Sequence, residues 1–218
     1  RDDGVGMDRE AVQRAIEEHT TSKIQDIADL EAGVGTLGFR GEALHTIGAV
    51  SRLTIRTKPR SPPADDPVGT ELRIEGGEVT AVDPTGCPEG TVVEVDDLFY
   101  NTPARKKFLR TTATEFDHVN TVVTHYALAN PDVAISLEHD SREVFATEGR
   151  GSLRSAVLSV YGREVAESMI DVEYDLVGED LDRPAGETGA PGDDADGDAT
   201  PIERVRGLVS HPETNRST

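Results

Sequence analysis

Gly38 and Gly41 stand three residues apart just ahead of an apolar-periodic run, and this spacing constrains the chain more than any other feature. In the stretch Gly38-Phe39-Arg40-Gly41-Glu42-Ala43-Leu44 two positions lack side chains, so backbone N–H groups there can crowd an anion. A helix starting near Arg40 or Gly41 points its positive end at the same place, and Arg40 adds a forked cationic donor suited to phosphate oxygens. The same glycines also suit a tight turn before an ordinary helix, because short glycine motifs recur by chance. A phosphate loop requires further nucleotide-facing residues nearby, whereas a turn requires none.

The pattern around the loop predicts an α/β layered structure. Met7, Ala11, Val12, Ala15 and Ile16 recur at helical spacing behind Asp8, a good N-cap, which predicts a helix over 8–18. Residues 19–37 lack sustained periodicity and read as a lid, with a short helix at Asp26 to Leu30. Ala43, Leu44, Ile47 and Val50 predict a second helix, and Leu53, Ile55 and Thr57 alternate as a strand that breaks at Pro59, Pro62 and Pro63. Strands at 69–75 and 78–83 meet at Gly76-Gly77 as a hairpin, and another run follows at Thr91 to Val95, so a mixed sheet is expected. Phe116, Val119, Val122, Val123 and Tyr126 predict one apolar face of a helix over 114–130 that Asn130-Pro131 ends. A hairpin is expected around Asp140-Ser141. Beyond Gly149-Arg150-Gly151 come a helix over 152–161 stopped by Gly162, a strand at 169–177 and a strand at 202–210. That restart marks the expected boundary between a first domain, 1–148, and a second, 151–218, the latter with an acidic insert at about 178–201.

At 218 residues with 35% hydrophobic content the chain can bury a real core in two domains, although 4% aromatic residues and no Trp make it lean. No apolar run reaches the roughly 20 residues that span a bilayer. Arg1 falls inside what reads as an active motif, so the start of the protein is expected to be missing. Cys87 stands alone, which excludes an intrachain disulfide and favours a reducing, cytoplasmic setting. The six histidines show no metal spacing, and no metal ligands are assigned.

A net charge of −20 ordinarily argues against a nucleic-acid partner. Between Asp171 and Pro201, however, 11 acidic residues face one basic residue, so half of the net charge sits in one stretch. Acids are spread over the remaining surface segments, and 18 Arg accompany only 4 Lys, a pattern that points to a halophilic protein. At about 1 M salt the Debye length falls to about 3 Å, so this charge is screened and guides partner choice poorly. Arg105, Lys106, Lys107 and Arg110 could touch DNA phosphates or pair locally with Glu115 and Asp117.

The nucleotide reading gains from a second turn. A carboxylate at Asp2 followed by Gly4 and Gly6 lets an acid accept a hydrogen bond from an exocyclic amino group while glycine backbone packs on a flat ring, as adenine requires. Asp-Gly turns are common, so the combination carries the weight: this turn, Thr21-Ser22-Lys23, the glycine loop, and Gly90-Thr91 opening a strand occur in that order.

The segments Arg1 to Met7, His19 to Ile24, Gly38 to Leu44, and Gly90 to Arg105, the last ending in Phe99-Tyr100-Asn101-Thr102-Pro103-Ala104-Arg105, resemble the MutL DNA mismatch repair family. The resemblance runs from residue 1 to the last strand. It implies the layered α/β sandwich of the gyrase, Hsp90, histidine kinase and MutL ATPases, followed by the start of a transducer domain. It further implies that Asp2 bonds the adenine amino group, that Gly4 and Gly6 lie beside the ring, and that Thr91 joins the same network partly through water. Thr21, Ser22 and Lys23 would open the lid, and Gly38, Phe39, Arg40 and Gly41 would surround the phosphates. Glu42 is expected to brace the helix rather than meet nucleotide, since a carboxylate beside a triphosphate is repelled.

ATP and Mg²⁺ are the implied cofactors. The implied partners are a mismatch-recognition protein of the MutS type, a second copy in a homodimer, and weakly, non-specifically bound DNA, for which Arg150, Arg154 and Arg163 near the expected transducer start are a second candidate contact. In the family the glutamate that activates water and the asparagine that holds Mg²⁺ precede the adenine acid. They are expected upstream of Arg1, so these 218 residues alone are expected not to turn over ATP. Two readings remain open: an ATP-driven switch that couples mismatch recognition to downstream repair, and a non-catalytic ATP-binding scaffold.

Overall fold

The computed structural model describes residues 1–17, 42–62, 68–175 and 204–211, and the chain divides into two compact units, residues 1–110 and 111–218. The first unit opens with α1, Arg9–Arg14, capped by Asp8, whose side chain accepts from the Ala11 N–H at 2.7 Å. Glu10 in its first turn and Arg14 in its last complement the helix dipole. Helix α2, Ala43–Gly48, begins after Glu42, which occupies the N-cap position without a side-chain capping bond. The expected short helix at Asp26 to Leu30 lies outside the described residues.

Four strands follow: β1 (Arg52–Lys58), β2 (Gly69–Glu75), β3 (Glu78–Thr85) and β4 (Gly90–Asp96). They form one sheet in the order β3-β2-β1-β4. The sheet expected as mixed shows only antiparallel ladders among the described residues. For β2 and β3 the tight Gly76-Gly77 turn is the physical reason, since a two-residue connection can join only antiparallel neighbours.

Alternation along β1 and β2 sorts the sheet into two faces. Leu53, Ile55, Leu72 and Ile74 point to the same side and are buried with Val12 of α1; Met7, Ile16, Leu44, Ile47 and Val82 pack around them. The helices therefore cover one face, and the core sits beneath them. The other face is ionic. Arg56 of β1 reaches Glu71 at 2.5 Å and Glu94 at 2.9 Å, Arg73 also reaches Glu71, and Arg52 pairs with Asp97 and Glu75 while lying 4.9 Å over the Tyr100 ring.

Glu71 is the most enclosed member of this network, its side chain 12% exposed. Its hydrogen bond from Arg56, aided by the charge of Arg73, holds its carboxyl below the usual carboxylate range against the opposing cost of burial. A depressed folded-state value stabilises the protein above the unfolded-state value, and that contribution is lost as pH falls through the folded one. Glu71→Gln is accordingly expected to flatten the acid limb of melting temperature against pH, and superimposable curves from about pH 7 to about pH 3 would refute the assignment.

After β4 a four-residue helix, α3 (Pro103–Lys106), ends the first unit's regular structure. The second unit contains α4 (Thr112–Ala129), the hairpin β5 (Ser136–His139) and β6 (Arg142–Ala146), α5 (Leu153–Tyr161), α6 (Arg163–Glu167), and the antiparallel pair β7 (Met169–Asp175) and β8 (Arg204–Ser210). Thr111 caps α4 by accepting from the Thr114 N–H, and Ser152 caps α5 likewise from Ser155. The buried stripe of α4 differs from the one its valines predict. Thr124 and Ala127 are buried, whereas Val119, Val122 and Tyr126 are half-exposed. Small side chains allow the closest approach of a neighbouring helix, and α4 packs on α5 within this unit. Helix α6, five residues long, is too short to leave a periodic signal in the sequence.

Candidate nucleotide-binding site

Asp2 and Thr91 are brought together by the backbone. The Asp2 N–H donates to the Thr91 carbonyl at 2.8 Å and the Thr91 N–H donates back to the Asp2 carbonyl at 3.2 Å, an isolated antiparallel bridge on the outer edge of β4. Residues directly opposed in such a bridge project their side chains to one side. Two residues 89 positions apart in sequence thus become neighbours, as the ordered motifs suggest.

The Asp2 turn is held from several directions. Asp2 Oδ1 accepts from the Gly4 N–H at 2.9 Å, which fixes the orientation of the carboxylate. Arg60 ties the far side of the turn, its N–H donating to the Val5 carbonyl and its guanidinium to the Asp3 carbonyl. Gly6 adopts φ +66°, and a Cβ there would overlap the Lys58 carbonyl oxygen at the end of β1. Gly90 adopts φ +99°, and a Cβ there would overlap the Asp2 carbonyl oxygen. Glycine at these two positions is what permits the Asp2 turn to lie against the ends of β1 and β4.

One residue of this constellation is missed by motif reasoning. Thr57 is fully buried on the helix-covered face of β1, and its hydroxyl accepts from the Met7 N–H at 2.9 Å. The same oxygen lies 3.1 Å from the Gly90 carbonyl and 3.2 Å from the Thr91 hydroxyl. The available signal was its position: in Leu53-Thr54-Ile55-Arg56-Thr57 it is a polar side chain at a core-facing place in the alternation.

The lid residues Thr21, Ser22 and Lys23 and the loop residues Gly38, Phe39, Arg40 and Gly41 lie outside the described residues. Helix α2, into which that loop leads, is well tied. His45 Nδ1 lies 3.2 Å from the Ile16 carbonyl. At its C-terminal end the Gly77 N–H donates to the Gly48 carbonyl, Asn101 Nδ2 to the Ala49 carbonyl at 2.9 Å, and the Phe99 N–H to the Val50 carbonyl at 2.7 Å. The Phe99-Tyr100-Asn101 run therefore supplies donors to carbonyls that a helix end otherwise leaves unpaired. Asn101 is a second residue to which the sequence assigned no contact.

The basic candidates separate. Arg105, Lys106 and Lys107 are exposed around α3, beside Phe108 at 84% exposure. Arg154 is used inside its own unit, donating to the Ala166 and Met169 carbonyls and to Asp171. Arg163 pairs with Glu167 one helical turn on, and Arg150 pairs with Glu148. Among the described residues no three His, Cys, Asp or Glu side chains gather as a metal site. None of the described helices is long and apolar enough to cross a membrane.

No family model matches the chain. Curated relatives nevertheless align along it. The DNA mismatch repair protein MutL of Halobacterium salinarum is 52% identical over 217 residues, covering 100% of this chain and 29% of that protein. MutL of Methanoculleus marisnigri is 44% identical over 215 residues, 99% of this chain and 32% of the relative. The chain thus spans about a third or less of the length of these relatives. Among solved structures, the Aquifex aeolicus MutL ATPase domain complexed with ADP shares 30% identity over 73% of this chain and 54% of that one, with a TM-score of 0.52. The crystal structure of the N-terminal domain of a DNA repair protein shares 29% identity over 80% of this chain and 50% of that one, with a TM-score of 0.60. Aligned from end to end with mismatch repair proteins and folded like their ATPase domain, the chain belongs to the MutL family.

Proposed function

We propose that this chain binds ATP with the adenine at Asp2 and Thr91, and that in the working protein this binding drives a conformational switch coupling mismatch recognition to downstream repair. The carrying observation is the Asp2–Thr91 bridge, with one Asp2 carboxylate oxygen pinned by the Gly4 N–H. A MutL ATPase domain of similar fold is known as an ADP complex, which supports nucleotide binding by this fold. In this reading Gly4 and Gly6 flank the ring, Thr21, Ser22 and Lys23 open the lid, and Gly38, Phe39, Arg40 and Gly41 meet the phosphates. Residues 1–148 would serve as the ATPase domain and 151–218 as the start of the transducer. A mismatch-recognition protein of the MutS type, a second copy of the chain and weakly held DNA complete the proposal, in a cytoplasmic setting. Arg105, Lys106 and Lys107 are the better-placed DNA candidates, because Arg154 is committed to its own unit.

The test is amide hydrogen exchange on the full-length protein in molar KCl, with and without ATP. Slower exchange across 19–41 on binding is the expected result for a switch. Bound nucleotide with unchanged exchange there would favour the scaffold reading, and no binding would overturn both.

The charge pattern adds a salt prediction. A net charge of −20 repels itself in dilute buffer and is screened in molar salt. The melting temperature is expected to rise on moving from low to molar KCl, and equal values would sink the halophilic assignment.

A further inference from the structure

We propose that Thr57, buried and remote from any sequence motif, sets the hydrogen-bond polarity of the base-recognition end and so makes the site accept a 6-amino purine and refuse a 6-oxo purine. The inference rests on the reading of Asp2 and Thr91 as the base end of a nucleotide site. A hydroxyl has one proton to give and two lone pairs to receive. At Thr57 one lone pair is filled by the Met7 N–H. Its proton has two possible destinations, the Gly90 carbonyl at 3.1 Å and the Thr91 hydroxyl at 3.2 Å.

The two choices differ in how many bonds they complete. If Thr57 donates to Thr91, the Gly90 carbonyl gains nothing from it and the Thr91 proton is left to point outward. If Thr57 donates to Gly90, its second lone pair receives the Thr91 proton, and a chain runs from Thr91 through Thr57 to a backbone carbonyl. The second arrangement makes one more bond in a site where Thr57 is fully buried, and successive bonds polarise one another. It leaves the Thr91 oxygen with lone pairs only, facing the same side as the carboxylate of Asp2.

Both groups that meet the base edge are then acceptors. The 6-amino group of adenine supplies two N–H donors to such a pair in direct contact, whereas the 6-oxo group of guanine or hypoxanthine would set a third acceptor against them. Thr57 touches no ligand; it acts by orienting Thr91, which makes it a positioning residue.

Calorimetric binding of ATP and GTP to the full-length protein, wild type and Thr57 variants, in molar KCl tests this. For Thr57→Val the ratio of ATP to GTP affinity is expected to fall about tenfold, the size of one neutral hydrogen bond reoriented, while Thr57→Ser, which keeps the hydroxyl, retains the wild-type ratio. Melting temperatures measured alongside report any purely structural role. A variant that melts earlier but keeps the wild-type ratio overturns the proposal. Should Thr57→Val fail to fold, Thr57→Ala carries the same test, because it removes donor and acceptor together without branching; an unchanged ratio there is equally fatal. Wild-type protein that binds neither nucleotide defeats the underlying site assignment, whereas binding with an indifferent ratio in the variants defeats the role of Thr57 alone.

Discussion

Asp2→Asn is expected to weaken ATP binding about a hundredfold while leaving the melting temperature nearly unchanged. The size follows from the loss of a hydrogen bond to a charged acceptor, worth about 1.5–3 kcal/mol, where every 1.4 kcal/mol is about tenfold. The direction follows from the turn. Gly4 N–H already holds Asp2 Oδ1, so the asparagine carbonyl oxygen would be retained by that bond and its amide nitrogen turned to the ligand. A donor would then face the donors of the base. Asp2 is exposed and its turn keeps both the Gly4 bond and the Thr91 bridge, so the fold loses little. Calorimetric titration with ATP in molar KCl measures the effect, and an affinity within threefold of wild type would remove Asp2 from the site.

Gly6→Ala should be among the most destabilising single substitutions in the first unit. At φ +66° an alanine carries a left-handed strain of about 1–2 kcal/mol, and its methyl would overlap the Lys58 carbonyl oxygen. Relief requires moving either the Asp2 turn or the end of β1, and both are fixed: Met7 bonds Thr57, and Lys58 pairs with Gly90 in the β1–β4 ladder. A total cost on the order of 3 kcal/mol or more is expected, with a fall in melting temperature of several degrees. Nucleotide affinity should fall with it, because the displaced turn carries Asp2. A melting temperature within a degree of wild type would show that the turn yields freely.

These two substitutions separate what the turn does from what holds it in place. Asp2 contributes chemistry at little structural cost, while Gly6 contributes space and no chemistry at all. The Phe99-Tyr100-Asn101 run belongs to the second kind as well, since Asn101 and Phe99 satisfy carbonyls at the end of the helix that follows the glycine loop.

Much of the first unit was legible in the sequence because its signals are local. Period-two alternation in Leu53-Thr54-Ile55-Arg56-Thr57 gave β1 and its inward face, Gly76-Gly77 gave the hairpin, and Asp8 gave the start of α1. The order of the acid-glycine turn and the Gly90-Thr91 strand start, joined by a family resemblance, pointed to residues that the Asp2–Thr91 backbone bridge makes neighbours. Local signals fail where the deciding partner is distant. The valines of α4 predict one buried stripe, but Thr124 and Ala127 are the residues that are buried. Arg154 looks like a free cation until the Ala166 and Met169 carbonyls and Asp171 are found around it.

The sequence by itself determined the family, the alternating elements and the acid at Asp2, because each is written in residue type and short spacing. Only the tertiary structure decided that Thr57 sits beneath the site, since its hydroxyl is joined to Met7, Gly90 and Thr91 across as many as 50 residues of chain. A hydrogen bond depends on distance and direction between atoms, and no pattern along the chain fixes those until strands and turns have closed on one another.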